Sequence, residues 1–269
     1  MNDETHASPR VSTGHPAWTR EELMTIAASR ALGDDDVCFV GIGPPSAACN
    51  LARLTHSPGL TLIYESGTLG TSPDVLPLSI GDGILADASI TTVSVPEMFA
   101  YWLQGGHITI GFLAAAQMDR YGNLNTTVIG GYDAPKVRLP GGGGAPEIAT
   151  ACQQTYVIMR HAQRSMVERL DFATSLGHGP TGVERRQSGV TTAGPTRVFT
   201  DLCIMRPGPE DNELQVTSLH PGVGRDDVVE ATGWPIRFAG QVDETPPPTN
   251  EELSVLRDLH RRSDEAHAG

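Results

Sequence analysis

The sequence predicts an α/β fold: an open, mostly parallel sheet flanked by helices. Three observations carry that reading. Short continuous apolar runs, VCFVGIG at 37–43, LTLIYES at 60–66 and HITIGFLAA at 107–115, have the composition of strands hidden on both faces. Helix-compatible segments stand between them, the alternation of a parallel sheet with crossover helices. At 269 residues the chain is long enough to bury such a sheet without disulfide or metal staples.

Residues 1–17 are polar and contain Pro9, Gly14 and Pro16, which predicts a flexible leader. Thr19 followed by Glu22 fits a capping box, and Leu23, Ile26, Ala27 and Leu32 give one apolar face ending at Gly33. After the first strand, SAACNLARLT (46–55) is helix-compatible and stops before Ser57-Pro58. SITTVSV (89–95) reads as a strand, and a helix opens at Pro96 before the strand at 107–115. TYVIM (155–159) and FTDLCIM (199–205) read as further strands. Residues 121–150 are loop-rich, and residues 176–195, rich in Gly, Thr and Arg, read as a surface excursion. The organisation is a leader over 1–17, one domain over 18–244, and a proline-rich linker (TPPPTN) with a C-terminal helical arm over 245–269.

Composition excludes several functions. With 19 basic against 32 acidic residues, a net charge of −13, a nucleic-acid or anionic-membrane partner is disfavoured. No run of 18 apolar residues exists, and the first twenty residues lack the apolar stretch of a signal peptide. The expected location is cytoplasmic. Cys38, Cys49, Cys152 and Cys203 form no C-x-x-C, and no histidine stands in a metalloprotease pattern, so no metal site is expected. Ser46 and Ser66 lack the G-x-S-x-G elbow of a serine hydrolase.

Four stations can carry chemistry. Gly41 and Gly43 end the first strand where open α/β sheets bind ligands, but Ser46 breaks a dinucleotide fingerprint and Pro44 and Pro45 remove two amide donors. The glycines then either bind or merely make a tight turn. Glu65 ends a strongly apolar strand, where packing does not need a carboxylate. It either caps the following turn or acts as nucleophile or base on a rigid element. Gly141-Gly142-Gly143-Gly144, before APEIATA, is either a flexible linker or a loop suited to anionic oxygen. In AAQMDRYGNLN, Gln117 and Asn123 or Asn125 can donate to a carboxylate or thioester oxygen, or close loops as Asn-rich turns do by default.

These stations, in this order, resemble the β subunit of family I CoA-transferases, over residues 20 to 260. The stretches that carry the resemblance are VGIGPPSAACNLARLT, LIYESGTLG, LPLSIGDG, the run from YWLQGGHITIGFLAAAQMDRYGN to PGGGGAPEIA, and DFATSLGHG with TDLCIM and LHPGV. Within the family it is closest to the 3-oxoadipate and glutaconate CoA-transferase β subunits. The resemblance implies a NagB/RpiA/CoA-transferase-like sheet and a CoA-transferase β domain over 18–244. It makes Glu65 the catalytic glutamate, which attacks a donor thioester and passes through an acyl-glutamyl anhydride to a glutamyl-CoA thioester. Gly144, with Gly143, would bind the oxyanion; Gln117 would lie close to the reacting centre, and Gly41, Gly43 and Asn123 would line the substrate. Ala115, where relatives often have Gly, and Gly142, where some carry Ser, depart from the pattern.

The reaction so implied moves CoA from succinyl-CoA to 3-oxoadipate or a similar dicarboxylate, in the 3-oxoadipate branch of aromatic degradation. Coenzyme A thioester is then a substrate, no cofactor is held permanently, and an α subunit completes the site as αβ or α₂β₂. Arg120, Arg138 and Arg160 are candidates for the acceptor's distal carboxylate. A second reading is a CoA-ester hydrolase or ring-cleaving enzyme on the same fold, with Glu65 as general base. A third, non-enzymatic reading is a ligand-sensing α/β domain, against which the acidic charge and the lack of a DNA-binding helix-turn-helix both count.

Overall fold

The structure, a computed structural model, describes residues 18–268; the leader expected over 1–17 lies outside them. In chain order the strands are β1 (Val37–Phe39), β2 (Thr61–Tyr64), β3 (Thr68–Leu69), β4 (Thr91–Thr92) and β5 (Ile110–Leu113). Two short hairpins follow, β6 (Gln117–Met118) with β7 (Leu124–Asn125), and β8 (Val128–Gly130) with β9 (Pro135–Arg138). Last come β10 (Gln154–Ile158), β11 (Pro195–Phe199), β12 (Cys203–Pro207), β13 (Leu214–Leu219) and β14 (Arg237–Glu244). The helices are α1 (Arg20–Ser29), α2 (Pro44–Leu54), α3 (Gly83–Asp87), α4 (Val95–Glu97), which continues as a π-helical turn over Met98–Leu103, α5 (Ala145–Ala151), α6 (Glu184–Gln187), α7 (Arg225–Ala231) and α8 (Asn250–His267).

Ten strands form one sheet in the order β14, β13, β12, β11, β10, β5, β1, β2, β3, β4. Its centre, β2 to β11, is parallel throughout. Antiparallel hairpins extend both flanks, β3 and β4 beyond β2, and β12 and β13 beyond β11, while β14 rejoins β13 in parallel. The fold is thus the predicted α/β sheet, with more antiparallel structure at its flanks than the apolar runs announce.

Alternation along the strands divides the core. Cys38, Leu62, Tyr64, Ile110 and Phe112 face one side, where Met24, Ala28, Ala48 and Cys49 of α1 and α2 cover them. Phe39, Ile63, Leu113 and Val157 face the other, under Met98, Leu103, Ile148 and Ala149 of the π turn and α5. At roughly 25 cal/mol per Å² of apolar surface removed from water, these two layers are the main source of stability.

The run FTDLCIM is not one strand. Phe199 ends β11, the chain reverses over residues 200–202, and Cys203 opens the antiparallel β12. Thr200 explains the break, because its Oγ1 accepts from the amides of Leu202 and Cys203 at 3.2 and 3.0 Å, a local closure that competes with the ladder. SITTVSV likewise gives only the exposed two-residue β4.

The C-terminal helix docks on the domain, with Leu253, Leu256 and Leu259 packing against Ile26, Ala47, Leu51 and Leu76. Its attachment to α1 is reciprocal. Glu22 completes the capping box of α1 with Thr19 and pairs with Arg257 of α8 at 2.6 Å. Glu252 completes the capping box of α8 with Thr249 and pairs with Arg30, the C-cap residue of α1, also at 2.6 Å.

Candidate active site

The carboxyl ends of β1, β2 and β5 lie side by side, and the sequence places its unusual residues there. Glu65 directly follows Tyr64, the last residue of β2, and is half-buried. The strand end beneath it is pinned: the fully buried Tyr64 hydroxyl lies 3.0 Å from Ser46 Oγ, and Asn50 Nδ2 donates to the Ser46 carbonyl at 2.9 Å. Burial pushes the Tyr64 phenol far above its ordinary range, so it stays neutral. On the far side, Gly67 at φ +97° lets the chain turn into β3. A β-carbon there would stand 2.1 Å from the Val93 carbonyl oxygen, so the position admits only glycine.

Phe39 of β1 pairs in register with Ile63 of β2, so Gly41 and Glu65 each follow two residues beyond that pair at neighbouring strand ends. Gly43, at φ +82°, is the N-cap residue of α2. The four-glycine loop arrives from elsewhere in the chain. Its first glycine is tied on both sides to Thr126: the Gly141 amide donates to the Thr126 carbonyl at 2.9 Å, and Thr126 Oγ1 donates to the Gly141 carbonyl at 2.7 Å. The loop is therefore built structure, not a linker, and it ends at Gly144, the N-cap of α5.

This loop reaches Glu65. A β-carbon on Gly143 would lie 3.7 Å from Glu65 Oε1, and one on Gly144 would lie 2.9 Å from that same oxygen. The loop at Gly143 and Gly144 thus lies close to the Glu65 carboxylate with no side chain between them. The Gly144 position would also meet Phe99 Cζ at 2.5 Å, so an aromatic ring shares the spot. Sequence reasoning missed Phe99. Its ring packs edge-on against Phe39, with centroids 6.1 Å apart, and it sits on the π-helical turn. Such turns gather at functional sites, but their signature is not visible in residue spacing.

Other expected residues are engaged differently. Gln117 Nε2 donates to Asp171 Oδ2 at 3.0 Å, and its Oε1 accepts from Asn125 Nδ2 at 2.8 Å and from the Asp171 amide at 3.1 Å. Three of its four hydrogen-bonding positions are filled from within the fold. Asn123 is a loop staple: Nδ2 donates to Asp119 and to the Gly179 carbonyl, and Oδ1 accepts from the amides of Gly177 and Gly179. No contact brings Asn123 to Glu65. Of the arginines, Arg120 pairs with Glu168 at 3.1 Å and Arg160 pairs with Glu21. Arg138 donates to the Tyr132 carbonyl at 3.1 Å and covers the Tyr132 ring at 5.1 Å.

A cleft of about 640 Å³ opens over the same sheet edge, between Ile42 and Gly43 after β1, Ala114 and Ala115 after β5, and Met159 and Arg160 after β10, with α8 closing it through Leu256 and His260. A larger cavity of about 730 Å³ lies beside Asp119, Arg169 and Phe172 and meets the glycine loop only through Thr174, which stands 3.5 Å from where a Gly142 β-carbon would be. Glu65 lines neither cavity.

Several buried histidines and cysteines elsewhere are held in their neutral forms. Burial holds the His161 imidazole down at about 4, between Thr200 Oγ1 at 3.2 Å and Thr232 Oγ1 at 2.9 Å. Burial also lowers His178 and His220, and pushes the Cys152 and Cys203 thiols up to about 12, so these are inert core groups. Among the described residues, no group of three His, Cys, Asp or Glu side chains is arranged to hold a metal ion, and no helix is long and apolar enough to cross a membrane.

Comparison with known proteins places the chain in a family. The sequence model of the Coenzyme A transferase family matches residues 21–231. The B subunit of the 3-oxoadipate CoA-transferase of Pseudomonas knackmussii is 57% identical over 93% of this chain and 96% of its own. The B subunit of the glutaconate CoA-transferase of Acidaminococcus fermentans is 32% identical over 86% of this chain and 89% of its own. The crystal structure of glutaconate coenzyme A-transferase from that organism superposes with a TM-score of 0.84 at 27% identity, covering 91% of this chain and 95% of its own. The cholesterol ring-cleaving hydrolase IpdB subunit of Mycobacterium tuberculosis is 25% identical over 89% of this chain and 93% of its own. The chain therefore belongs to the Coenzyme A transferase family as a β-type subunit.

Proposed function

We propose that this chain, with an α-subunit partner, moves CoA from succinyl-CoA to 3-oxoadipate or a similar dicarboxylate by ping-pong exchange through Glu65. The observation that carries the reading is the meeting of Glu65 Oε1 with the backbone of Gly143 and Gly144. In the first half, a Glu65 carboxylate oxygen attacks the succinyl thioester carbonyl, expelling CoA thiolate and leaving a succinyl-glutamyl anhydride. The thiolate then attacks the glutamyl carbonyl, releasing succinate and forming the glutamyl-CoA thioester. The acceptor carboxylate reverses both steps, releasing its acyl-CoA and restoring the Glu65 carboxylate. Each addition places negative charge on a carbonyl oxygen, and in this reading the amides of Gly143 and Gly144 hold it, a contribution on the order of 3 kcal/mol per donor. The 57% identical relative, named for 3-oxoadipate, supports the acceptor; that relative's name as one subunit of its enzyme supports the partner.

The test is chemical trapping. Reconstituted with its α subunit and given succinyl-CoA, the chain is expected to take up borohydride or hydroxylamine at Glu65, and Glu65→Gln is expected to lose at least ~10³-fold in exchange rate. Active enzyme with unmodified Glu65 defeats the proposal.

A second reading keeps Glu65 as a general base in a CoA-ester hydrolase or ring-cleaving enzyme. The observation in its favour is the similarity to the IpdB subunit. Net loss of thioester with no exchange between two acids would select it.

A further inference from the structure

The same scaffold serves proteins named as transferases and as a hydrolase, so something local must keep water from the intermediate. Phe99 is placed to do so. Its Cζ and Glu65 Oε1 both lie within 2.9 Å of a single point, the β-carbon position of Gly144, so ring and carboxylate are within about 6 Å of each other. An ordinary core phenylalanine is closed over; its neighbour Phe39 is 1% exposed, whereas Phe99 stays half-buried.

The ring does not owe its position to its own burial. The π turn is anchored by Met98 and Leu103, both fully buried, and the Phe99 carbonyl accepts from the Gln104 amide at 2.9 Å, five residues on. This holds an apolar surface beside the carboxylate, where a polar side chain would otherwise recruit solvent. A water molecule needs two to four polar partners to reside at a site, and an aromatic ring offers it none.

We propose that Phe99 excludes water from the reacting carbonyl of Glu65 and so sets how the covalent intermediate divides between acid acceptor and water. This rests on the transferase reading above. In transfer, an acceptor carboxylate oxygen attacks the glutamyl-CoA carbonyl, CoA thiolate leaves, and the thiolate then takes the acceptor's acyl group from the anhydride. In the leak, water attacks that glutamyl carbonyl and CoA thiolate leaves. Glu65 returns as carboxylate carrying the water oxygen, free CoA remains, and a proton goes to solvent.

The experiment uses the chain assembled with its α subunit, succinyl-CoA and 3-oxoadipate in ¹⁸O-water. It measures the ratio of free CoA to new acyl-CoA and the ¹⁸O carried by Glu65. Phe99→Ala is expected to raise that ratio at least tenfold and to place ¹⁸O on Glu65, with borohydride still labelling Glu65. Phe99→Leu, which keeps an apolar side chain, is expected to recover most of the wild-type ratio. A merely structural role would lower both products together and leave the ratio unmoved. An unchanged ratio in Phe99→Ala overturns the proposal; should that variant not assemble, Phe99→Asn decides, since it puts a polar side chain that can hold water beside the carboxylate, and an unchanged ratio with no ¹⁸O gain there overturns the proposal equally. Wild-type complex that exchanges nothing and never labels Glu65 instead refutes the transferase reading, a separate outcome.

Discussion

Glu65 Oε1 stands 2.9 Å from the point that a β-carbon on Gly144 would occupy. Gly144 has φ −86°, an ordinary value, so glycine is not required there by backbone conformation. What it supplies is room for a carboxylate.

Gly144→Ala should therefore separate folding from chemistry. The atoms that a methyl would meet, Phe99 Cζ and Glu65 Oε1, are the far ends of side chains that can swing aside, so the melting temperature should shift little. Swinging aside, though, removes the carboxylate from its loop. Exchange is expected to fall by about 10²-fold or more, the effect of misplacing a reacting group by about an ångström. Steady-state kinetics beside calorimetry would show it; wild-type exchange in a folded Gly144→Ala enzyme would contradict the site.

Gly67→Ala should behave in the opposite manner. At φ +97°, with the Val93 carbonyl oxygen 2.1 Å from the added carbon, both backbone and neighbour resist the change. The expected loss is about 2 kcal/mol or more, from strain at the turn and from separating β3 and β4, and activity should fall with stability rather than apart from it. Denaturant unfolding measures the first, and kinetics on the folded fraction the second.

Arg185 is a buried cation that donates to backbone carbonyls of Ala149, Leu176, Gly177 and Thr192 and to the Thr192 hydroxyl. Burial lowers its guanidinium to about 10, still charged at neutral pH. Through Ala149 it holds the C-terminal end of α5, the helix that Gly144 opens. Arg185→Met would orphan these acceptors and is expected to cost about 2–4 kcal/mol in unfolding free energy. Arg185→Lys cannot reproduce the fork and should recover only part.

Acid should unfold the protein partly through His161. Its folded value of about 4 lies below the ordinary 6.5, so the unfolded chain binds the proton first as pH falls. Its contribution is whole above about 6.5 and is lost as pH drops toward 4, a change on the order of 3 kcal/mol. A plot of melting temperature against pH should steepen across that window, and His161→Gln should flatten it there.

How much of this was legible in the sequence follows from what each signal encodes. The parallel centre was readable because strands covered on both faces must be apolar throughout, as β1, β2 and β5 are. The start of α1 was readable because Thr19 and Glu22 interact three residues apart. Glu65 and the glycine loop stood out as residues that packing does not ask for, but their meeting spans 79 positions and came only from the resemblance. Phe99 was hidden because a half-covered ring on a helix has the same pattern as a core stripe. Arg185 was hidden because Gly, Thr and Arg together signal solvent, and only the folded loop shows carbonyls turned inward around it.

The crossed pairing of Glu22 with Arg257 and Glu252 with Arg30 leaves neither end of the described chain independent. Each glutamate starts its own helix while gripping the other, so removing either carboxylate loosens two helices at once. Exchange of amide protons in α1 and α8 should accordingly be lost as one unit. A tag or fusion that strains the final helix would be felt some 230 residues earlier, where the first begins.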